Sequence, residues 1–230
     1  MLIDDVHIVL LRPRWAQNLG AVARAMKNFG LRRLSIVDSR IGSWTDAWRM
    51  AVQANDILEG AVRSDDLAAV LAPSRWIVGT TNEAPTGMRV LSPRDVAAEA
   101  AQRGAPTLLF GGEINGLAPA ELLRCHAAST IPTAAEQSSL NLAQAVCVYG
   151  AELFAAHGIA AAPPAPAMAT ADLMQRLEAA LRRLLETSAW TDANRGKHAI
   201  AELMQPLYRA QLTDEEVRAW LVALGKAVQR

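Results

Sequence analysis

The sequence predicts an α/β fold: a parallel sheet with helices on both faces, followed by a small all-helical extension. Three observations carry this prediction. Short apolar runs alternate with helix-periodic segments over the first two thirds of the 230 residues. Those runs lack strict polar/apolar alternation, which is typical of strands covered on both faces. After a proline- and alanine-rich stretch, only helical patterns follow.

The elements follow from these patterns. The predicted strands are residues 6–11, 34–37, 76–80, 107–110 and 128–131. The predicted helices are residues 18–29, 46–58, 65–71, 93–102, 118–124 and 139–157. The start of helix 93–102 is well marked, because Ser92 offers an N-cap, Pro93 suits the first helical position and Asp95 lies in the first turn.

The helix predicted after the first strand carries an unusual arginine. Asn18 stands at the N-cap position and Gly30 at the C′ position. One face is apolar and is expected to be buried: Leu19, Val22, Ala23, Met26 and Phe29. The other face carries Gly20, Arg24, Lys27 and Asn28. A helix N-terminus that follows a strand can bind an anion, and Arg24 lies within two turns of it.

Charge is balanced over the chain but not in this region. The whole sequence has 23 basic and 23 acidic residues. No acid occurs between Asp5 and Asp38, whereas six basic residues do: Arg12, Arg14, Arg24, Lys27, Arg32 and Arg33. Such a local basic surface suggests a phosphate-bearing partner. The alternative is a set of solvated arginines without a ligand.

The remaining composition excludes several classes. No apolar run is long enough for a membrane span, and no signal peptide is visible, which predicts a cytoplasmic protein. Cys125 and Cys147 form no CxxC pair, so no metal site is expected. Cys147 is expected to be a buried hydrophobe. Cys125 and His126 are unlike a nucleophile and base, since adjacent residues on one element rarely face each other.

The chain is expected to divide into a domain at residues 1–158, a linker at 159–170 and a helical extension at 171–230. The linker is rich in proline and alanine. Three apolar stripes predict the helices of the extension: Leu173, Leu177, Leu181 and Leu184; Ile200, Leu203, Met204 and Leu207; Val217, Trp220, Leu221, Leu224 and Val228. These helices form a small bundle or pack on a partner.

Two further segments carry candidate functional residues. Residues 108–117 are a strand running into a glycine-rich loop, with Glu113 where ligands of open α/β sheets collect. A plain tight turn is the alternative, and the absence of GxGxxG argues against a nucleotide-dependent oxidoreductase.

In residues 131–146 a strand ends at Ile131, and Ser138 or Ser139 is expected to cap a helix with Asn141 in its first turn. An ordinary serine N-cap is the alternative there.

Together the three segments read NxGxxxRxxxxFG, GxExxGL and IPxxxxxxSLNxxxA. Their order resembles the three motifs of the SpoU branch of the SPOUT RNA 2′-O-methyltransferases, over about residues 5 to 157. The linker and extension resemble, in layout, the TrmJ-type tRNA methyltransferases, which methylate the ribose at position 32 of the anticodon loop.

This resemblance implies a homodimer with a C-terminal trefoil knot that binds S-adenosylmethionine, acting on RNA and most simply on tRNA. Arg24 would take the proton of the ribose 2′-hydroxyl, helped by a phosphate. Asn18 and Glu113 would orient Arg24 and the substrate, and Ser139 and Asn141 would complete the catalytic site. The cofactor would lie on three loops that contain Thr80, Thr81, Asn82, Gly111, Gly112, Glu113, Ile131, Ser138, Ser139 and Leu140.

The sequence departs from the TrmJ pattern at three places. The stretch 82–89 has one arginine where the pattern is arginine-rich, Gly112 stands where an arginine is common, and Gln137 replaces a tyrosine. Fewer positive charges weaken phosphate binding and leave the RNA substrate open. An rRNA 2′-O-methyltransferase and a non-catalytic RNA-binding module are therefore kept as alternatives.

Overall fold

The computed structural model describes residues 3–157, 167–187 and 196–228. Its sheet has seven parallel strands in the order β3-β2-β1-β6-β4-β7-β5. The strands are β1 His7–Leu11, β2 Arg33–Val37, β3 Val62–Ser64, β4 Ile77–Thr80, β5 Val90–Leu91, β6 Thr107–Gly111 and β7 Ala127–Ser129. The predicted parallel α/β class is confirmed. The trefoil knot stays a prediction, because strand order and pairing do not define how the chain is threaded.

Helices cover both faces of this sheet. They are α1 Ala16–Asn28, α2 Thr45–Met50, α3 Asn55–Glu59, α4 Leu67–Leu71, α5 Pro93–Arg103, α6 Pro119–Leu122 and α7 Leu142–Ala156. Ile8 and Leu10 of β1 belong to a core shared with α1, α2, α3, α5 and α7. Val9 and Leu11 belong to a second core, shared with α4 and α6 on the other face. Both faces of β1 are thus apolar and buried, which explains the uninterrupted apolar run.

Three further helices follow: α8 Ala171–Thr187, α9 Gly196–Ala210 and α10 Asp214–Val228. They share an apolar core that includes Leu177, Met204 and Val217. Ala171 is buried in the second core of the sheet, and its N–H donates to the Ser74 carbonyl at 2.7 Å. Residues 159–166 of the expected linker lie outside the described residues, and the domain boundaries stay predictions. Met168 and Ala169, near its end, are buried.

Helix α1 corrects two predictions. The helix begins at Ala16 with Trp15 as N-cap residue, so the prediction of Asn18 as N-cap is wrong. Asn18 lies in the first turn instead, and its side-chain amide is hydrogen-bonded to Glu113 and Asn141 rather than to the helix backbone. Gly20 is buried rather than exposed, because α2 packs against it. Gly30 follows the helix with φ +71°, as expected of a C′ glycine.

Other boundaries also differ. The predicted helix 46–58 is two helices, α2 and α3, separated by a turn in which Gln53 has φ 60°. Asn141, and neither Ser138 nor Ser139, is the N-cap of α7. Strands β3 and β5 were not predicted, because they are three and two residues long and lie at the sheet edges. The cap of α5 by Ser92 with Asp95 is confirmed.

Candidate functional site

A cleft of about 660 Å³ opens at the carboxyl ends of β4, β6 and β7. Ligands of parallel α/β sheets bind at this edge. All ten predicted cofactor-binding residues line the cleft: Thr80, Thr81, Asn82, Gly111, Gly112, Glu113, Ile131, Ser138, Ser139 and Leu140. Four of the five predicted catalytic residues line it as well: Asn18, Glu113, Ser139 and Asn141. The fold thus brings residues far apart in sequence to one place.

A chain of hydrogen bonds crosses the cleft, which we call the Asn141–Asn18–Glu113 chain. Asn141 Oδ1 accepts the N–H of Ala143 at 2.9 Å and so caps α7. Asn141 Nδ2 donates to Asn18 Oδ1 at 2.8 Å. Asn18 Nδ2 then donates to Glu113 Oε1 at 3.0 Å. Because the backbone N–H fixes which Asn141 atom accepts, the donor and acceptor roles of the whole chain follow from the cap.

Glu113 ends this chain at the start of α1. Its Oε2 accepts the N–H of Arg14 at 2.9 Å, and its Oε1 accepts that of Trp15 at 3.4 Å. A carboxylate at this position is stabilised by the positive end of the helix dipole. The carboxylate therefore has a fixed orientation, and it holds α1, the β6 loop and, through the two asparagines, α7 in register.

The glycines of the β6 loop are required by close backbone contacts. A Cβ at Gly111 would lie 2.0 Å from the Gly116 carbonyl carbon, and one at Gly112 would lie 2.3 Å from the Arg12 carbonyl oxygen. The Gly116 N–H closes the turn on the Gly112 carbonyl at 2.9 Å, with Gly116 at φ +61°. Larger residues would force this loop away from β1 and open the cleft.

An ion pair lies next to the same loop. Arg12 donates two hydrogen bonds to Glu121, at 2.6 and 2.9 Å. The hydrogen bond to Glu121 raises the pKa of Arg12. Burial acts to raise the pKa of Glu121, but hydrogen bonds from Arg12 and from the Ala118 N–H lower it below the ordinary value. The pair joins the end of β1 to α6.

The floor of the cleft is aromatic and was not predicted. Tyr149 of α7 is buried edge-on to Phe110, with ring centroids 5.6 Å apart, and its hydroxyl donates to Ser129 Oγ at 2.7 Å. Burial raises the pKa of Tyr149 to about 12, so the phenol stays neutral. Its position seven residues after Leu142, on the buried face of α7, is the sequence signal that identifies it.

The segment 132–141 is exposed throughout, and its last five residues, 137–141, line the cleft. Gln137 Nε2 donates to the Ser139 carbonyl at 3.3 Å and contacts Ser139 Oγ at 3.4 Å. Thr133 Oγ1 donates to the Ser138 carbonyl at 3.3 Å. The two serines therefore present polar groups to the cleft from a loop shaped by its own side-chain contacts.

Arg24 is the one predicted catalytic residue that the structure does not bring to the cleft. It is exposed on α1 and, within the described part of the chain, makes no side-chain hydrogen bond or ion pair. The predicted basic surface is also reduced, since three of its six cations pair with acids: Arg12 with Glu121, Lys27 with Asp56 and Arg32 with Asp4. Arg14, exposed beside the cleft, has no acidic side-chain partner in the described residues.

Cys125 and His126 are unsuited to act as a nucleophile and a base. Burial raises the pKa of Cys125 to about 12 and lowers that of His126 to about 4, and His126 Nδ1 accepts the Ile77 N–H. Cys147 is partly buried against the first core. Among the described residues no group of three or more His, Cys, Asp or Glu could hold a metal, and no described helix has the length and apolarity to cross a bilayer.

Comparisons with known proteins agree with this geometry. Residues 5–150 match the SpoU rRNA Methylase family. The tRNA (cytidine/uridine-2′-O-)-methyltransferase TrmJ of Pectobacterium atrosepticum is 37% identical over 160 residues, which is 68% of this chain. The match spans 66% of that relative, just under two thirds of its length.

Solved structures extend the likeness. TrmJ from Z. mobilis ZM4 superposes with a TM-score of 0.85 at 27% identity, over 96% of this chain and 98% of that one. An AdoMet-bound rRNA methyltransferase from Sinorhizobium meliloti has a TM-score of 0.52 at 25% identity, over 66% of this chain and 59% of that one. The Z. mobilis match therefore includes the C-terminal helices.

Proposed function

Since the chain belongs to the SpoU rRNA Methylase family, we propose that it transfers a methyl group from S-adenosylmethionine to a ribose 2′-hydroxyl of tRNA. The observation that carries the proposal is the Asn141–Asn18–Glu113 chain, which joins all three sequence motifs at one cleft. Because these hydrogen bonds also hold α1, the β6 loop and α7 in register, a binding module without turnover would keep them too, and a methyl-transfer assay is what separates the two functions.

The cleft fits the proposed cofactor in size and chemistry. Its volume of about 660 Å³ lies within the range of small-molecule sites. The buried rings of Phe110 and Tyr149 close the cleft on its inner side, and the loops after β4 and β6 offer backbone polar groups for the edge of an adenine ring. Bound there, S-adenosylmethionine supplies an electrophilic methyl group. Thr80–Asn82, Gly111–Glu113, Ile131 and Ser138–Leu140 would hold it.

The polar residues would then orient the nucleophile. Glu113, fixed by Asn18 and the start of α1, lines the cleft together with Ser139. Arg24 would contact the RNA from the exposed face of α1 and take the 2′-hydroxyl proton. A guanidinium is normally protonated, so this step requires help from a substrate phosphate.

We further propose tRNA as the substrate, at cytidine or uridine 32 of the anticodon loop, in the cytoplasm. The name of the Pectobacterium relative specifies tRNA, cytidine and uridine. Position 32 is what the resemblance to the TrmJ-type enzymes implies. The Z. mobilis TrmJ match extends over the C-terminal helices, whereas the rRNA methyltransferase match covers 66% of the chain. The extension therefore favours tRNA over rRNA.

A homodimer is proposed as the working form. Helix α7 has fifteen residues, of which only Gln144 and Glu152 carry an amide or a charge. An apolar helix of this kind is normally covered on all sides, yet Phe154 is 52% exposed. Leu140, before the helix, is 39% exposed. A second copy of the chain would cover this surface.

Two experiments test these proposals. Methyl transfer from labelled S-adenosylmethionine is measured to total tRNA and, separately, to rRNA; label in tRNA supports the proposal, label in rRNA alone corrects the substrate, and no label contradicts the activity.

Light scattering after gel filtration measures the mass of the wild type and of Phe154→Glu. Val222→Glu, which alters an equally exposed residue of α10, is the control. A monomeric wild type would contradict the dimer.

A further inference from the structure

We propose that the C-terminal helices hold the cofactor-binding loop in place, through Arg209 of α9. The loop concerned, which we call the β4–β5 loop, comprises residues 81–89. The inference rests on the proposed function, because it assigns a role to a contact at the cofactor cleft. The C-terminal extension would then have a structural role within its own polypeptide, in addition to any contact with RNA or a partner.

The β4–β5 loop has one end in the cleft and the other on α9. Thr81, Asn82 and Glu83 line the cleft. Four residues further on, the Gly87 carbonyl accepts a hydrogen bond from Arg209 Nη1 at 2.8 Å. The Thr86 carbonyl accepts a longer one from Gln205 Nε2 at 3.5 Å. Helix α9 therefore contacts the backbone of the loop that lines the cleft.

The last two residues of this loop are held by the sheet domain, since Met88 packs on the second core and the Arg89 carbonyl accepts the Ala128 N–H at 2.9 Å. The stretch before them has fewer such contacts. Asn82, Glu83, Thr86 and Gly87 are exposed, so packing does not fix them. Two local turns stiffen the loop instead: Thr81 Oγ1 donates to the Glu83 carbonyl at 2.7 Å, and the Met88 N–H donates to the Pro85 carbonyl at 3.1 Å. A short stiff loop transmits a constraint at one end to the other, so the position of Gly87 influences that of Asn82.

Helix α9 is anchored to the sheet domain independently of Arg209. Tyr208, the preceding residue, is buried edge-on to His126 with ring centroids 5.6 Å apart. Arg75 donates to the Met168 carbonyl at 2.9 Å and pairs with Asp214 of α10 at 3.2 Å. Arg209 is itself exposed. Its removal should therefore free the loop without detaching the helices.

The geometry makes Arg209 a positioning residue for cofactor binding. A hydrogen bond from a charged donor is among the stronger ones, but its loss is felt less at an exposed site than at a buried one. We expect Arg209→Ala to speed amide exchange in residues 81–89 and to weaken S-adenosylmethionine binding by about five- to tenfold. Arg209→Lys, which keeps a cationic donor, should restore part of both.

The test combines hydrogen exchange, calorimetric titration with S-adenosylmethionine and thermal unfolding of the full chain. The matched control is Arg182→Ala, which removes an exposed arginine of α8 that pairs with Glu178 of its own helix. The control should alter neither readout, and all variants should unfold at nearly the wild-type temperature.

Three results would overturn the inference: unchanged loop exchange in Arg209→Ala, faster exchange with unchanged cofactor affinity, or an equal effect of Arg182→Ala. Failure of the proposed function is distinguishable from these. In that case the wild type itself does not bind S-adenosylmethionine, while the loop exchange of Arg209→Ala still reports whether Arg209 holds the loop.

Discussion

Replacing Asn18 by aspartate should disable the site without changing its shape. The substitution keeps the acceptor for Asn141 but replaces the donor to Glu113 with a carboxylate oxygen, at a heavy-atom distance of 3.0 Å. Two unit charges at that distance repel by about 1.4 kcal/mol in bulk water and by about 5.5 kcal/mol at an effective dielectric of 20. Both residues are half-buried.

A penalty of about 3 kcal/mol, between these limits, corresponds to a loss in kcat/KM on the order of 100-fold. Asn18→Ala removes the hydrogen bonds without adding a charge, and should lose about tenfold. The like charges in Asn18→Asp raise the pKa of the carboxylate pair, so a proton shared at lower pH restores a donor.

The assay is methyl transfer to tRNA between pH 8 and pH 6, with Asn18→Ala as the reference at each pH. Asn18→Asp should be the weaker variant at pH 8 and should approach or exceed Asn18→Ala at pH 6. If the aspartate variant is fully active at pH 8, or if the two variants keep a constant ratio across the range, the Asn141–Asn18–Glu113 chain does not act as described.

Three further predictions concern stability and substrate. Gly20→Ala places a Cβ 2.3 Å from a backbone oxygen of α2, so overpacking should outweigh the gain in helix propensity. The free energy of unfolding in denaturant should fall by about 1 to 2 kcal/mol. The control Gly42→Ala adds its Cβ in open space and should change little, and equal effects of the two variants would contradict the close packing at Gly20. Burial and a neighbouring arginine lower the pKa of His7 from 6.5 to about 4. Its neutral form therefore stabilises the fold fully above pH 6.5, and up to about 3 kcal/mol is lost as the pH falls towards 4; thermal unfolding of His7→Gln should depend less on pH in that window, and an unchanged pH dependence would exclude His7 as the cause. Trp15 lines the cleft and is 48% exposed, so its ring is available for a nucleobase to stack on. Trp15→Ala should therefore raise the KM for tRNA about tenfold. The control Trp220→Ala changes a tryptophan of α10 that is 44% exposed and should leave KM unchanged, and an unchanged KM in Trp15→Ala would exclude stacking.

The sheet could be predicted because its signal is local. Strands β1, β2, β4 and β6 are apolar on both faces, so each is visible as an apolar run. The cap of α5 lies within four consecutive residues. Strands β3 and β5 escaped prediction because edge strands of two or three residues need no such run, and Val62 and Val90 are more than half exposed.

The sequence indicated which residues form the site but not which of them are hydrogen-bonded to each other. The motifs identified Asn18, Glu113 and Asn141, which the fold brings to one cleft. The role of Asn18 could not be derived locally, because its two hydrogen-bond partners lie 95 and 123 residues away. The cap of α7 is local by contrast, because Asn141 bonds Ala143 and Gln144 within three residues, so the pattern Asn141-x-x-Gln144 is a sequence signal for it that the choice of Ser138 or Ser139 passed over.

Arg24 shows a different limit. Its spacing on α1 predicts an exposed residue, and the structure agrees, but exposure alone does not bring its side chain to the cleft. The proposed role requires RNA or a second copy of the chain to complete the site. Arg24→Ala should therefore reduce methyl transfer strongly while cofactor affinity, measured by calorimetry, stays near the wild-type value; parallel loss of both would make Arg24 a structural residue.

The most direct test of the central claim is to digest tRNA that the enzyme has methylated and to identify the modified nucleoside by mass spectrometry, with fragment mapping of its position. The account predicts a methyl group on the ribose of cytidine or uridine, at position 32. A methyl group on a base, or no modified nucleoside from a protein that binds S-adenosylmethionine, would contradict ribose 2′-O-methylation as the function of this site.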